Sequence, residues 1–156
     1  MNIRIISVGK IKEQYTKDAL KEYEKRLTSF CSFSYVEVQA EPILDEALNE
    51  KYKELEAQRI IQVLKPNSYV ITLEIAGKML SSEDFASKIK EISNDGINDI
   101  TFIIGGANGL AKSVTDKADF KLSFSKMTFT HQMVKILLTE QIYRAFKINA
   151  KEPYHR

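Results

Sequence analysis

Two kinds of block alternate along the chain. Short apolar runs rich in β-branched residues read as buried strands: Ile3 to Val8, stopped by Gly9, then Phe33, Tyr35, Val36 and Val38, then Tyr69 to Leu73, Ile100 to Ile104, and Phe120 to Phe124. Between them lie stretches with helical spacing. From Lys12 to about Thr28, the positions Tyr15, Ala19, Leu20, Tyr23 and Leu27 share one face. A polar-rich helix is expected from about Asp45 to Leu64, closed by Lys65-Pro66-Asn67. Ser81 ahead of Asp84 marks a further helix start, because a serine hydroxyl can accept an orphan amide hydrogen. Phe85, Ile89 and Ile92 carry that helix to Asn94-Asp95-Gly96, and a last helix runs from about Gln132 to Asn149. Apolar strands alternating with helices predict an α/β domain built on a mainly parallel sheet with helices on both faces. Ligands of such sheets sit beyond the carboxyl ends of the strands. The loops after the third, fourth and fifth strands are therefore the candidate binding region.

The last helix is apolar on nearly all sides: Met133, Val134, Ile136, Leu137, Leu138, Ile142, Tyr143, Ala145, Phe146 and Ile148 leave little room for a polar face. Such a helix must be covered on nearly all sides. One face can lie on the sheet, and the rest is expected to meet a second copy of the chain, giving a homodimer through the C-terminal helix. The alternative is a central helix covered by its own chain.

With 156 residues and no internal repeat or Pro/Gly/Ser linker, one domain spanning 1–156 is the simplest organisation. The 44% hydrophobic and 28% charged residues describe a globular protein rather than a disordered tail. No apolar run approaches the roughly 20 residues of a membrane span, and MNIRIISVGK does not read as a signal peptide. Cys31 is the sole cysteine, which excludes a disulfide framework and a cysteine-rich zinc site. No metal and no membrane are expected, and a reducing cytoplasm is the expected compartment.

Net charge is only +2, but its distribution is uneven. Residues 1–30 carry 7 basic and 4 acidic side chains, residues 31–120 carry 9 and 15, and residues 121–156 carry 7 and 2. Positive charge at both ends permits an anionic partner, although an ordinary solvated face would look similar.

Three segments carry candidate chemistry. The fourth strand leads into Gly105-Gly106-Ala107-Asn108-Gly109-Leu110, where glycines permit positive φ and let a ligand approach backbone amides. The start of a following helix is expected to add free N–H groups. A bulky residue at Gly106 is expected to block the pocket. The loop lacks the Rossmann pattern, and no P-loop, H-E-x-x-H or G-x-S-x-G sequence occurs. Next, Leu122-Ser123-Phe124-Ser125-Lys126-Met127-Thr128-Phe129-Thr130-His131 joins the fifth strand to the last helix, with small polar groups suited to an adenine edge and Met127 and Phe129 suited to covering an aromatic ring. Finally, the chain ends in Pro153-Tyr154-His155-Arg156, whose last three residues can stack on or hydrogen-bond a nucleobase.

Taken together, the opening Ile-Arg-Ile-Ile-Ser-Val-Gly-Lys, Thr72-Leu73-Glu74-x-x-Gly77-Lys78, IIGGANGL, SKMTFTHQ, Glu140-Gln141-x-Tyr143-Arg144-Ala145 and the Tyr154-His155-Arg156 end resemble the RlmH family of SPOUT-class methyltransferases along essentially the whole chain. One departure is Thr130, where that family usually has proline. The resemblance implies a parallel α/β sheet whose C-terminal part is threaded as a trefoil knot, and a homodimer. It implies S-adenosyl-L-methionine as cofactor, and transfer of its methyl group to N3 of a pseudouridine in large-subunit (23S) ribosomal RNA on the assembled ribosome. Family cofactor contacts map to Leu73, Gly105 and the run Ser125, Lys126, Met127, Thr128, Phe129 and Thr130, with Gly106 and Gly109 in the same glycine loop. The partner's Tyr-His-Arg tail approaches the methyl group in that family.

The chemistry assigns expected roles. An imide nitrogen is a poor nucleophile until its proton leaves, and His155 is the candidate base because imidazole titrates near neutrality. Arg156 is expected to stabilise charge on the uracil carbonyls, Tyr154 to stack or orient the imidazole, and Arg144 to contact RNA or the interface. Two other readings stand beside this one: a non-enzymatic ribosome- or RNA-binding module on the same fold, and a flavodoxin-like nucleotide-binding domain.

Overall fold

Each apolar run forms a strand, and each interval with helical spacing a helix, in the computed structural model, which describes residues 1–154. The order is β1 (Asn2–Val8), α1 (Gln14–Leu27), β2 (Ser32–Val38), α2 (Asn49–Val63), β3 (Tyr69–Met79), α3 (Ser82–Asn94), β4 (Asp99–Ile104), α4 (Lys112–Thr115), β5 (Phe120–Ser123) and α5 (His131–Asn149). The five strands form one sheet in the order β2-β1-β4-β3-β5, and every pairing is parallel. All carboxyl ends therefore open on the same edge.

Alternation along the strands divides the core into two layers. Ile3, Ile5, Ile71, Ile100, Phe102 and Leu122 pack with Phe85, Ile89, Leu138 and Ile142 beneath α1, α3 and α5. On the opposite face, Ile6, Val8, Val70 and Ile103 pack with Ala57, Ile60 and Val114 of α2 and α4. Helices thus cover both faces, as the continuous apolar strands require. Cys31 lies half-buried at the edge of the larger layer, and burial pushes its thiol up to about 11, so it stays protonated at neutral pH.

Local chemistry explains the boundaries. Ser81 caps α3, its hydroxyl accepting the Asp84 amide at 3.0 Å. Asp45 caps a 3₁₀ turn, Glu46–Leu48, and α2 proper follows that turn. The largest difference from the sequence pattern is β3, expected to end at Leu73 but continuing to Met79. Leu73 and Lys78 both pair with Leu122, so residues 74–77 form an excursion from the ladder. Gly77 permits the return to β5, since a Cβ there would lie 2.7 Å from the Leu122 carbonyl carbon.

The surroundings of α5 also differ from expectation. Helices α1 and α3 flank it as well as the sheet. Ser82 Oγ donates to Gln141 Oε1 at 2.7 Å, Asn149 Nδ2 donates to the Ala86 carbonyl at 2.9 Å, and the Phe30 and Phe146 rings stack at 5.8 Å. The chain itself buries Leu138, Ile142, Tyr143 and Ala145. What stays open is a narrower stripe of exposed Met133 with half-buried Ile136 and Leu137. No helix of the described residues is long and apolar enough to cross a membrane.

Candidate active site

The glycine loop after β4 closes as a tight turn, with the Gly109 amide donating to the Gly106 carbonyl at 3.0 Å. Its glycines serve different ends. Gly109 has φ +80°, in the left-handed region that glycine tolerates. At Gly105 a Cβ would stand 2.8 Å from the Gly109 carbonyl carbon and 2.9 Å from its oxygen. At Gly106 a Cβ would meet Val8 Cγ1 at 2.9 Å and Glu56 Oε2 at 3.4 Å. A side chain at 106 would therefore push into the groups behind the loop. A bulky residue there would act on the pocket by displacing the loop.

The segment after β5 is held by its own small polar groups. Ser123 Oγ donates to the Ser125 carbonyl at 3.0 Å, and Ser125 Oγ accepts the Met127 amide at 3.0 Å. Thr130 is the N-cap of α5, its hydroxyl accepting the Met133 amide at 3.3 Å.

These loops and the β3 excursion enclose a cavity of about 660 Å³, the size of a small-molecule site. Leu73, Gly105, Gly106, Gly109, Ser125, Met127, Thr128, Phe129 and Thr130 all line it. Lys126 does not: it is exposed and outside the lining. The helix start expected to add amides is the single turn α4, which contributes only Thr115. Sequence reasoning missed Glu74, Ile75 and Ala76, brought in by the excursion, and gave no separate role to His131.

Among the described residues the lining contains no lysine or arginine, and its charged or titratable groups are Glu74 and His131. Thr72 Oγ1 donates to Glu74 Oε1 at 2.6 Å. Burial, then the positive charges of Lys135 and Lys12, hold His131 below the usual imidazole range, so it is neutral at neutral pH. Lys135 is fully buried on α5, one turn on, and its Nζ donates to the Gly9 carbonyl at 3.0 Å. Burial also pulls this lysine below its ordinary value. Its only signal in the sequence is a lone charge inside the run Met133-Val134-Lys135-Ile136. A pocket of this character suits a neutral or cationic ligand with a flat apolar part. It suits a phosphate poorly, since anions are held by Lys, Arg or aligned amides.

Arg144 and Tyr154 lie elsewhere, about 20 Å further along α5 at the helical rise. The Arg144 guanidinium stands 4.8 Å over the Tyr154 ring and donates to Glu140 Oε1 at 3.0 and 2.6 Å. The Tyr154 hydroxyl donates to the same oxygen at 3.4 Å, with Tyr143 edge-on at 4.9 Å. Burial, with Tyr23 and Glu140, pushes the Tyr154 phenol up to about 12. His155 and Arg156 lie outside the described residues. Within one protomer, then, the cavity and the Arg144–Tyr154 cluster are two separate places.

A parallel sheet with a glycine-loop cavity at its carboxyl edge is a nucleotide-type scaffold, and among the described residues this one lines its cavity with no lysine or arginine to grip a phosphate. Its class is settled by comparison: the chain belongs to the SPOUT methyltransferase family, whose model, described as "Predicted SPOUT methyltransferase", matches residues 1–155. Among its relatives are the "Putative ribosomal RNA large subunit methyltransferase H" of Methanococcus maripaludis, 52% identical, and the "Ribosomal RNA large subunit methyltransferase H" of Clostridium acetobutylicum, 46% identical, each aligned over 100% of both chains. A solved probable methylase family protein from Haemophilus influenzae shares the fold, with a TM-score of 0.50 and 12% identity over 96% of this chain and 66% of its own.

Proposed function

We propose that this protein is an S-adenosyl-L-methionine-dependent methyltransferase that methylates N3 of a pseudouridine in 23S ribosomal RNA on the assembled ribosome. The observation that carries the reading is the cavity: apolar walls, backbone-rich loops, one carboxylate, a neutral imidazole and, among the described residues, no lysine or arginine in the lining. That is the chemistry a sulfonium with an adenine ring asks for. The same feature disfavours a flavodoxin-like phosphate site. The names of the relatives support ribosomal RNA as substrate, and the cytoplasm is the compartment that goes with it.

The cofactor fits the residues present. Leu73, Leu110, Phe129 and Val134 offer apolar surface for the adenine, and the backbone of the 105–109 and 125–130 loops offers donors and acceptors for its edges. When bound, it supplies an electrophilic methyl group on a positively charged sulfur. The chain's own task is orientation, which supplies roughly 7–11 kcal/mol of barrier lowering in well-aligned transfers. Removal of the imide proton adds about 10²–10⁴-fold, and His155 is proposed to accept it, with Arg156 holding the charge left on the ring carbonyls and Tyr154 orienting the pair.

The proposed unit is the whole chain as one catalytic domain, working as a homodimer. The open stripe of Met133, Ile136 and Leu137 supports the contact. The separation of Arg144 and Tyr154 from the cavity supports a tail that serves the partner's pocket instead of its own. The strand order, which takes the chain from β4 across β3 to β5, supports a threaded C-terminal part.

Calorimetry with S-adenosyl-L-methionine, paired with methyl incorporation into intact ribosomes, tests the reading. Micromolar-range binding with incorporation is expected. A protein that binds the cofactor and ribosomes but transfers nothing would mark a non-enzymatic module.

A further inference from the structure

Glu56 is the only acidic side chain buried among the described residues, at 4% exposure. It lies on α2, on the side facing β1 and the glycine loop. Oε1 accepts the Glu41 amide at 2.9 Å. Oε2 is sealed from solvent and has no hydrogen-bond partner. Arg59, one turn on, supplies no hydrogen bond to Oε2: that guanidinium pairs with Glu41 and donates to the Gln39 carbonyl at 2.9 Å. What Oε2 does face is the back of the loop, 3.4 Å from where a Cβ of Gly106 would stand. A buried carboxyl oxygen left unpaired is costly. Placing one directly behind a ligand-binding loop gives that cost a use.

We propose that Glu56 is a positioning residue of the pocket: its Oε2, in the protonated carboxyl, is the buried anchor that the backbone of the Gly105–Gly109 loop engages as the pocket fills. This rests on reading the cavity as the cofactor site. A neutral carboxyl both donates and accepts, and it avoids leaving an unpaired charge in the interior. Burial raises its proton affinity and the charge of Glu41 adds to that, while the Glu41 amide and Arg59 oppose it. The charged groups facing it are thus Glu41 from the β2–α2 loop and Arg59 from α2; Val8 of β1 and Gly106 of the loop do not titrate.

The sign follows. If the filled pocket needs protonated Glu56, affinity is full below its pKa and falls as pH rises through it. Reciprocally, the ligand raises that pKa. The test uses the full chain and S-adenosylhomocysteine, with calorimetry across about pH 5 to about pH 9 and carbon-13 NMR titration of the Glu56 carboxyl. The wild-type carboxyl is expected to titrate higher with ligand than without. E56Q, a neutral near-isostere, is expected to bind within about threefold of wild type at low pH with a flat pH profile. E56A is expected to bind about tenfold or more weaker than wild type at low pH, with a flat profile that wild type approaches as pH rises. The inference is overturned if E56A binds as wild type does at low pH, if E56Q is as weak as E56A, or if the wild-type carboxyl titration ignores the ligand, a readout that needs no variant to fold. Wild-type protein that never binds S-adenosylhomocysteine overturns the cofactor reading and this inference with it, whereas tight binding indifferent to Glu56 overturns the inference alone.

Discussion

A single methyl group is enough to close the space beside Gly105, because the carbonyl of Gly109 already occupies it. Gly105→Ala is therefore expected to cost at least tenfold in S-adenosylhomocysteine affinity, about 1.4 kcal/mol or more; unchanged calorimetric affinity would remove the loop from the site. Thr130 illustrates the opposite case. It stands where the RlmH family usually has proline, and its φ of −61° is one that proline would also adopt. Threonine adds a cap hydroxyl that proline lacks. Thr130→Ala is expected to lose about 1 kcal/mol of stability by denaturant titration, the usual worth of an N-cap, and Thr130→Pro to keep the backbone of the loop. That the glycines and the small polar segment would line a cavity was legible because their residue types have few other uses at strand ends. Glu56 was not, since nothing in its polar-rich helix says that this charged position will be turned inward, and Lys135 left only a lone charge in an apolar run.

At the scale of elements, periodicity located all five strands and the four longer helices, because strand burial on both faces and one-sided helix burial leave different patterns. It failed where tertiary geometry decides. The β3 excursion is made by a second pairing with Leu122 that no local pattern encodes, and α4 is too short to have a period. The apolar surround of α5 read as an interface, yet α1 and α3 account for much of it. The remaining stripe gives a sharp test. Met133 is 41% exposed, so Met133→Glu should leave the thermal midpoint of the fold nearly unchanged while shifting sedimentation from dimer to monomer. A variant that stays dimeric would place the contact elsewhere.

The whole molecule has a net charge of only +2, whereas phosphate contacts dominate affinity for free nucleic acid. A small protein of this charge is better served by a preformed ribosomal surface, and naked 23S RNA is expected to be a poor substrate. The proposed division of labour between one protomer's pocket and its partner's tail predicts that His155→Ala retains cofactor affinity but loses about 10²-fold or more in single-turnover methylation of ribosomes. Unchanged rates would remove His155 from the mechanism. The most direct test of the central claim is mass spectrometry of 23S RNA nucleosides after ribosomes lacking the modification are incubated with the protein and isotopically labelled S-adenosyl-L-methionine. The label should appear in a pseudouridine methylated at N3, at one site and on intact ribosomes; label in another nucleoside, or none at all with cofactor bound, would contradict it.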